Sequence, residues 1–291
     1  MKRFLGITLG ILTAIGGFVD IGDLVANALV GSRFGMSLAW VVLLGVLGIC
    51  VFAEMSGRIA PVSGRAVFDL VRERLGPKAG LANLGASFFI LAMTVAAEIG
   101  GAALALELAT GVNYLLWVPV VACAATVFLP VHVQVDSLDQ MVLPVALGAG
   151  QIGLALVILG VFAATLGATL EVALSSGYCL SQYFGWQWGK RVRPREAGRF
   201  HATVLIVMIV ATALILTTID PIMVTEYSLV FSAAALPLTY LPVLMIANDR
   251  DYMGSKVNGG FSNTLGTVFM ILLVAVSIAA IPLMLATKAG Q

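Results

Sequence analysis

Residues 4–30, FLGITLGILTAIGGFVDIGDLVANALV, carry two aspartates and no basic residue in an apolar run long enough to cross a bilayer. Gly16 and Gly17 stand just ahead of the acids, and Gly22 lies between Asp20 and Asp23. Glycine weakens a helix locally, while a charge at the bilayer centre costs about 2.5–3.5 kcal/mol on insertion scales. A discontinuous membrane helix that unwinds beside carboxylates is how secondary transporters hold cations near the midplane. The run therefore predicts a cation site in which Asp20 and Asp23 give carboxylate oxygens and unwinding exposes the Gly17 carbonyl. Such oxygens suit hard ions such as Mg2+, Mn2+ or Ca2+. The competing reading has both acids flank a kink and pair with neighbouring helices.

Composition points to the same solvent. Of 291 residues, 60% are hydrophobic and 11% charged, and the formal net charge is +1. Soluble domains carry about 25% charged residues, so soluble enzymes and nucleic-acid binders are excluded and the lipid bilayer is the expected partner. Eight spans of mostly apolar residues follow: 4–30, 36–56, 82–108, 114–130, 141–168, 202–219, 227–247 and 261–286. The fold class is an all-α integral membrane protein with a single transmembrane domain over 1–291. The first run is too long for a secretory signal and lacks a small-residue cleavage site. Cys50, Cys123 and Cys179 lie far apart in apolar runs and make neither a disulfide framework nor a metal knuckle. Neither His-Glu-x-x-His nor Gly-x-Ser-x-Gly occurs, so no intramembrane enzyme is expected.

No Lys or Arg falls inside any of the eight spans. The basic residues gather instead at Lys2 and Arg3, between Arg58 and Lys78, and between Lys190 and Arg199. Positive charge stays cytoplasmic, which places the N-terminus in the cytoplasm, in a chain of the plasma (inner) membrane. Three spans separate the second cluster from the third, and an odd number would put the third outside. The rule is broken between residues 82 and 189.

Other acids fall near or inside the spans. Glu54 sits one turn before Arg58 and should form an interfacial ion pair; Glu107, at a span end, should be solvated. Glu98, Glu171 and Glu226 are candidates for an ion pathway, with a purely structural role an equal alternative for mid-span Glu98. For Glu171, set among the small residues of GATLEVALSSG (167–177), a helix-packing hydrogen bond is an equal alternative. Pro221, Pro237 and Pro242 bracket or kink the seventh span. The aromatic end of 169–189, with Trp186 and Trp188, should continue the fifth span to an interface.

The stretches 16–44 (GGFVDIGDLVANALVGSRFGMSLAWVVLL) and 53–77 (AEMSGRIAPVSGRAVFDLVRERLGP) resemble the first two helices of the Nramp metal-ion transporters. That family carries Asp-Pro-Gly-Asn in its broken first helix, where this chain has Asp20-Ile21-Gly22-Asp23. Residues 236–258 resemble the tenth helix and its Met-Gly-x-x-x-Asn signature, at Met253, Gly254 and Asn258; 98–106 resembles the third. The resemblance covers about 1–112 and 145–285. It implies part of the inverted-repeat, LeuT-like fold and a divalent-metal transporter of the Nramp-related branch that handles Mg2+ and Mn2+, with no cofactor beyond the transported ion. Proton-coupled members carry an acid three residues before the third-helix glutamate. Val95 stands there, which implies passive transport. Residues 156–194 resemble the eighth helix, so the fifth, sixth and seventh are missing and the seam falls near 117–136. Losing three helices is the odd number that the charge count requires. It puts segment 131–140 outside and leaves one broken helix where the architecture uses two. Two alternatives stay open: a non-transporting remnant or subunit, and an organic-substrate secondary transporter on the same architecture.

Overall fold

The computed structural model describes residues 22, 30, 34–128, 160, 162, 165–189 and 192–287. A 3-10 turn, Gly35–Leu38, leads into α1, Ala39–Ser63. Helix α2 covers Val67–Thr110, α3 Tyr114–Phe128 and α4 residues 165–184. Then come α5 (Gly198–Leu216), α6 (Pro221–Ala247), the single turn α7 (Arg250–Met253) and α8 (Gly260–Thr287). Every regular element among the described residues is helical, as hydrocarbon demands of a backbone that must satisfy its own hydrogen bonds.

Among the described residues, five helical stretches are long and apolar enough to cross a membrane: Gly35–Ser63, Val67–Thr110, Gly198–Leu216, Pro221–Ala247 and Gly260–Ala286. They correspond to the expected spans 36–56, 82–108, 202–219, 227–247 and 261–286. The expected 114–130 span is α3. Residues 129 and 130 of that span lie outside the described residues. The expected spans 4–30 and 141–168 lie outside the described residues, apart from Gly22, Val30, Gly160, Phe162 and residues 165–168.

Local sequence explains the ends and breaks. Gly64, at φ 68°, ends α1 and donates its N–H to the Ala60 carbonyl at 2.9 Å. Inside α2, Gly76 adopts φ 81° and ψ 164°, a conformation favoured by the absence of a Cβ. Pro77 follows, and lacks the N–H that would continue the preceding turn. The membrane-length part of α2 thus begins at residue 77, behind a short charged helix over 67–75. Asp220 caps α6 by accepting from Ile222 N–H at 2.8 Å, and Pro221 takes the first helical position, where its missing N–H costs nothing.

The chain divides into two compact units. One contains Phe34–Ile90, Cys179–Trp188 and Leu229–Gln291; the other contains Met1–Arg33, Leu91–Tyr178 and Gly189–Ser228. In the first, Phe52, Met55 and Ile59 of α1 cluster with Leu70, Val71, Ile246, Met253 and Phe269. Close approach depends on glycine here: a Cβ on Gly266 would lie 2.9 Å from both Leu244 Cδ1 and Met55 Cε. Apolar surface gains little by leaving lipid for a helix interface, so contact distance sets helix association in membranes.

Pro242 of α6 creates an acceptor problem that a neighbouring helix solves. Pro242 has no N–H for the Leu238 carbonyl, four residues back. The buried Asn83 side-chain amide of α2 donates to that carbonyl instead. Near Pro237, Ser277 Oγ of α8 donates to the Ala234 carbonyl at 2.5 Å. The Leu238 carbonyl thus keeps a donor despite Pro242.

Candidate cation site and its helical support

Gly17, Asp20 and Asp23 lie outside the described residues; Gly22, between the two acids, is helical and buried. The expected pathway acids Glu98, Glu171 and Glu226 are all described and belong to the second unit. Glu98 is fully buried, at 0% exposure, in a stretch of α2 where Val95, Ala96, Ala97, Ile99, Ala102 and Ala103 are also buried. Burial at that depth disfavours the charged form of a carboxyl group.

Two contacts fix what faces that stretch. The Thr94 and Ser228 hydroxyls lie 3.1 Å apart, and a Cβ on Gly100 would stand 2.5 Å from Pro221 Cβ. Segment 94–100, with Glu98, therefore runs antiparallel along segment 221–228, with Glu226. The structure brings these two acid-bearing segments together, and the small side chains of 96–103 permit the approach. Half-buried Glu171 lies on a different helix. Its helix, α4, packs on α5 through Gly177, whose Cβ would fall 2.8 Å from Val204 Cγ2. Two hydroxyls of α4 bond within it: Thr169 Oγ1 donates to the Thr165 carbonyl at 2.7 Å and Ser176 Oγ to the Ala173 carbonyl at 2.6 Å. Among the described residues, no group of three or more His, Cys, Asp or Glu stands close enough to hold a metal ion.

Glu107 differs from expectation. Instead of standing in solvent, it accepts the Tyr114 N–H at 3.1 Å and ties the end of α2 to the start of α3. Glu54 does pair with Arg58, Nε to Oε1 at 2.9 Å. That arginine also donates to the Lys256 carbonyl and, at 2.5 Å, to Asn258 Oδ1. Asn258 N–H in turn donates to the Ala247 carbonyl at 3.0 Å, and Met253 is buried in the core of the first unit. The Met-Gly-x-x-x-Asn signature thus fastens the turn after α6 to α1.

Sequence reasoning missed a second network around the Gly76 break. Tyr183 Oη donates to the Pro77 carbonyl at 2.9 Å, Arg72 donates to the Tyr183 carbonyl, and the Arg72 guanidinium sits 5.7 Å from the Tyr183 ring centre. Arg65 reaches Asp69 at 2.8 Å and Glu73 at 2.5 Å, while Tyr252 Oη donates to Glu73 at 3.1 Å. The Arg65–Asp69 pair has i, i+4 spacing, a readable signal; the links to residues 183 and 252 have none.

Arg65, and next the Tyr252 hydroxyl, hold the Glu73 carboxyl below the usual carboxylate range. A depressed acid contributes stability that is present above its unfolded value, about 4.3, and lost as pH falls through its lower folded value. Thermal midpoints of wild type and Glu73→Gln in detergent should differ by a constant amount above about pH 5 and converge as pH drops below about 4. A difference independent of pH would contradict the assignment.

A chain with five such helices and an almost chargeless interior is an integral membrane protein. The sequence profile described as natural resistance-associated macrophage protein-like, or Nramp, matches residues 10–130 and 120–282. The chain belongs to the Nramp family. Similar sequences include the divalent metal cation transporter MntH of Deinococcus radiodurans, 35% identical over 113 residues, which are 38% of this chain and 26% of that protein. That of Ralstonia nicotianae is 38% identical over 107 residues, 36% of this chain and 24% of the relative. That of Verminephrobacter eiseniae is 36% identical over 86 residues, 29% and 20% of the two chains. The alignments thus span about a fifth to a quarter of these relatives. The manganese transporter of Eremococcus coleocola, solved with an aromatic bis-isothiourea compound, matches 100% of this chain and 89% of its own at TM-score 0.59 and 14% identity. That likeness establishes a shared fold.

Proposed function

We infer that the chain carries a divalent cation, Mg2+ or Mn2+, across the plasma membrane from a site built by Asp20, Asp23 and the Gly17 carbonyl. The observation that carries this reading is the profile match, which begins at residue 10 and takes in the whole glycine-aspartate segment. The MntH relatives, named as divalent metal cation transporters, support it. Glu98 and Glu226, on facing segments, line the path; Glu171 lies farther along it. The protein performs no chemical conversion, and its N-terminus is cytoplasmic.

The two profile matches meet at residues 120–130, inside the seam expected at 117–136. This supports a chain that joins the first four family helices to the eighth and later ones, with about eight spans. It also favours a second reading, a subunit or remnant that inserts without transporting. Mn2+ uptake by liposomes carrying the purified chain separates the two. Uptake above that of Asp20→Ala, though well below that of a full-length relative, supports transport; uptake equal to the variant's supports the second reading.

Coupling is tested in the same vesicles. The residue three before Glu98 is Val95, fully buried and without a titratable group, so cation entry should proceed without internal acidification. Proton entry that depends on Mn2+ would overturn passive transport and make Glu98 the relay.

A further inference from the structure

A groove of about 430 Å3 opens between α1 and the start of α8, lined by Cys50, Val51, Glu54, Met55, Phe261 and Leu265, with Arg58 and Ser262 at its polar end. Both helices also turn apolar side chains outward: Leu43, Leu47 and Ile49 from α1, Ile271, Ile278 and Leu285 from α8. In a bilayer these faces are covered by acyl chains, and a groove open between them admits the same molecules. At the polar end the two charges are not equivalent. Arg58 is 20% exposed and commits its guanidinium to Glu54, Asn258 and the Lys256 carbonyl. Glu54 lines the groove and is 58% exposed, so its carboxylate, paired with Arg58 at 2.9 and 3.1 Å, keeps acceptor capacity open to a further donor. Phe261, 82% exposed, extends one wall outward.

We propose that this groove binds a phospholipid with a primary-amine headgroup, phosphatidylethanolamine in type, its ammonium on Glu54 and an acyl chain along Val51, Met55 and Leu265. An anionic lipid would meet the exposed carboxylate first, and a choline headgroup has no N–H to give it. This proposal does not depend on transport.

Native mass spectrometry of the full chain, released from micelles holding equal phosphatidylethanolamine, phosphatidylcholine and phosphatidylglycerol, tests this. Wild type should retain the amine lipid over the other two by about fivefold, the ratio one exposed ion pair supports. Glu54→Gln should abolish that preference and raise phosphatidylglycerol retention, because Arg58 loses its counter-charge. Ser262→Trp, which fills the mouth of the groove, should reduce all three adducts together; an unchanged thermal midpoint shows that the variant is folded. Preference for phosphatidylglycerol by wild type, an amine preference that survives Glu54→Gln, or full retention in Ser262→Trp would each overturn the proposal.

Discussion

Titration of Mn2+ or Mg2+ into the purified chain should give saturable heat that disappears when Asp20 and Asp23 are both replaced by asparagine. The amide keeps the shape and one acceptor oxygen of each side chain but removes two negative charges. For hard, strongly hydrated dications, affinity follows the number of charged ligands and the rigidity that holds them. Even changes one shell out from a metal cost 10–100-fold, so losing both charged ligands should weaken binding by more than about 100-fold. A second aspartate where the family motif has a neutral amide raises the negative charge of the site. That favours Mg2+ and Mn2+ over softer metals, which prefer sulfur ligands. Equal affinity in wild type and variant would show that the ion is held elsewhere.

Arg58→Ala should be the most damaging single change at the polar end of the first unit. It removes four donations at once, to two Glu54 oxygens, Asn258 Oδ1 and the Lys256 carbonyl. It also leaves half-buried Asn258 without the charged donor that anchors the turn before α8. Losing a charge-assisted donor to partly buried acceptors costs about 2–3 kcal/mol, or a thermal midpoint lower by about 5–10 °C. Lysine should restore little, because an ammonium lacks the planar fork that reaches three acceptors in different directions. Glu54→Gln should cost under about 1 kcal/mol, since an exposed ion pair contributes little on its own. Comparable losses in Arg58→Ala and Glu54→Gln would mean that the arginine acts only through its ion pair.

The spans were legible because in hydrocarbon a helix has no alternative backbone structure, so apolar length alone reads them. The start of the second described span was placed at 82 instead of 77 because Lys78 and Asn83 make its first turn look polar. Gly76-Pro77, an ordinary breaker pair, marks the true boundary. Glu107 was misread because its partner, the Tyr114 N–H, belongs to the next helix. The Met253, Gly254 and Asn258 signature was legible as a pattern but not as a fastening, since Arg58 lies 200 residues from Asn258. For the site, the run around Asp20 and Asp23 was read from glycine spacing and uncompensated charge. The pairing of the Glu98 and Glu226 segments was hidden, because it shows only in contacts between distant residues, Thr94 with Ser228 and Gly100 with Pro221.

The hydrogen bond that closes the α6 kink also sets a timetable for biogenesis. Asn83 enters the membrane with its helix, yet its acceptor at Leu238 is made 155 residues later. At about 5–20 residues per second, synthesis of that stretch takes about 8–30 s. Throughout that interval a primary amide sits on a nascent span with no carbonyl to receive it, and the bilayer core supplies no water in compensation. The helix beginning at Pro77 must therefore linger at the insertion machinery or near the headgroups until the kinked helix arrives. Release of the two into lipid becomes a joint event, ordered by one proline and one asparagine.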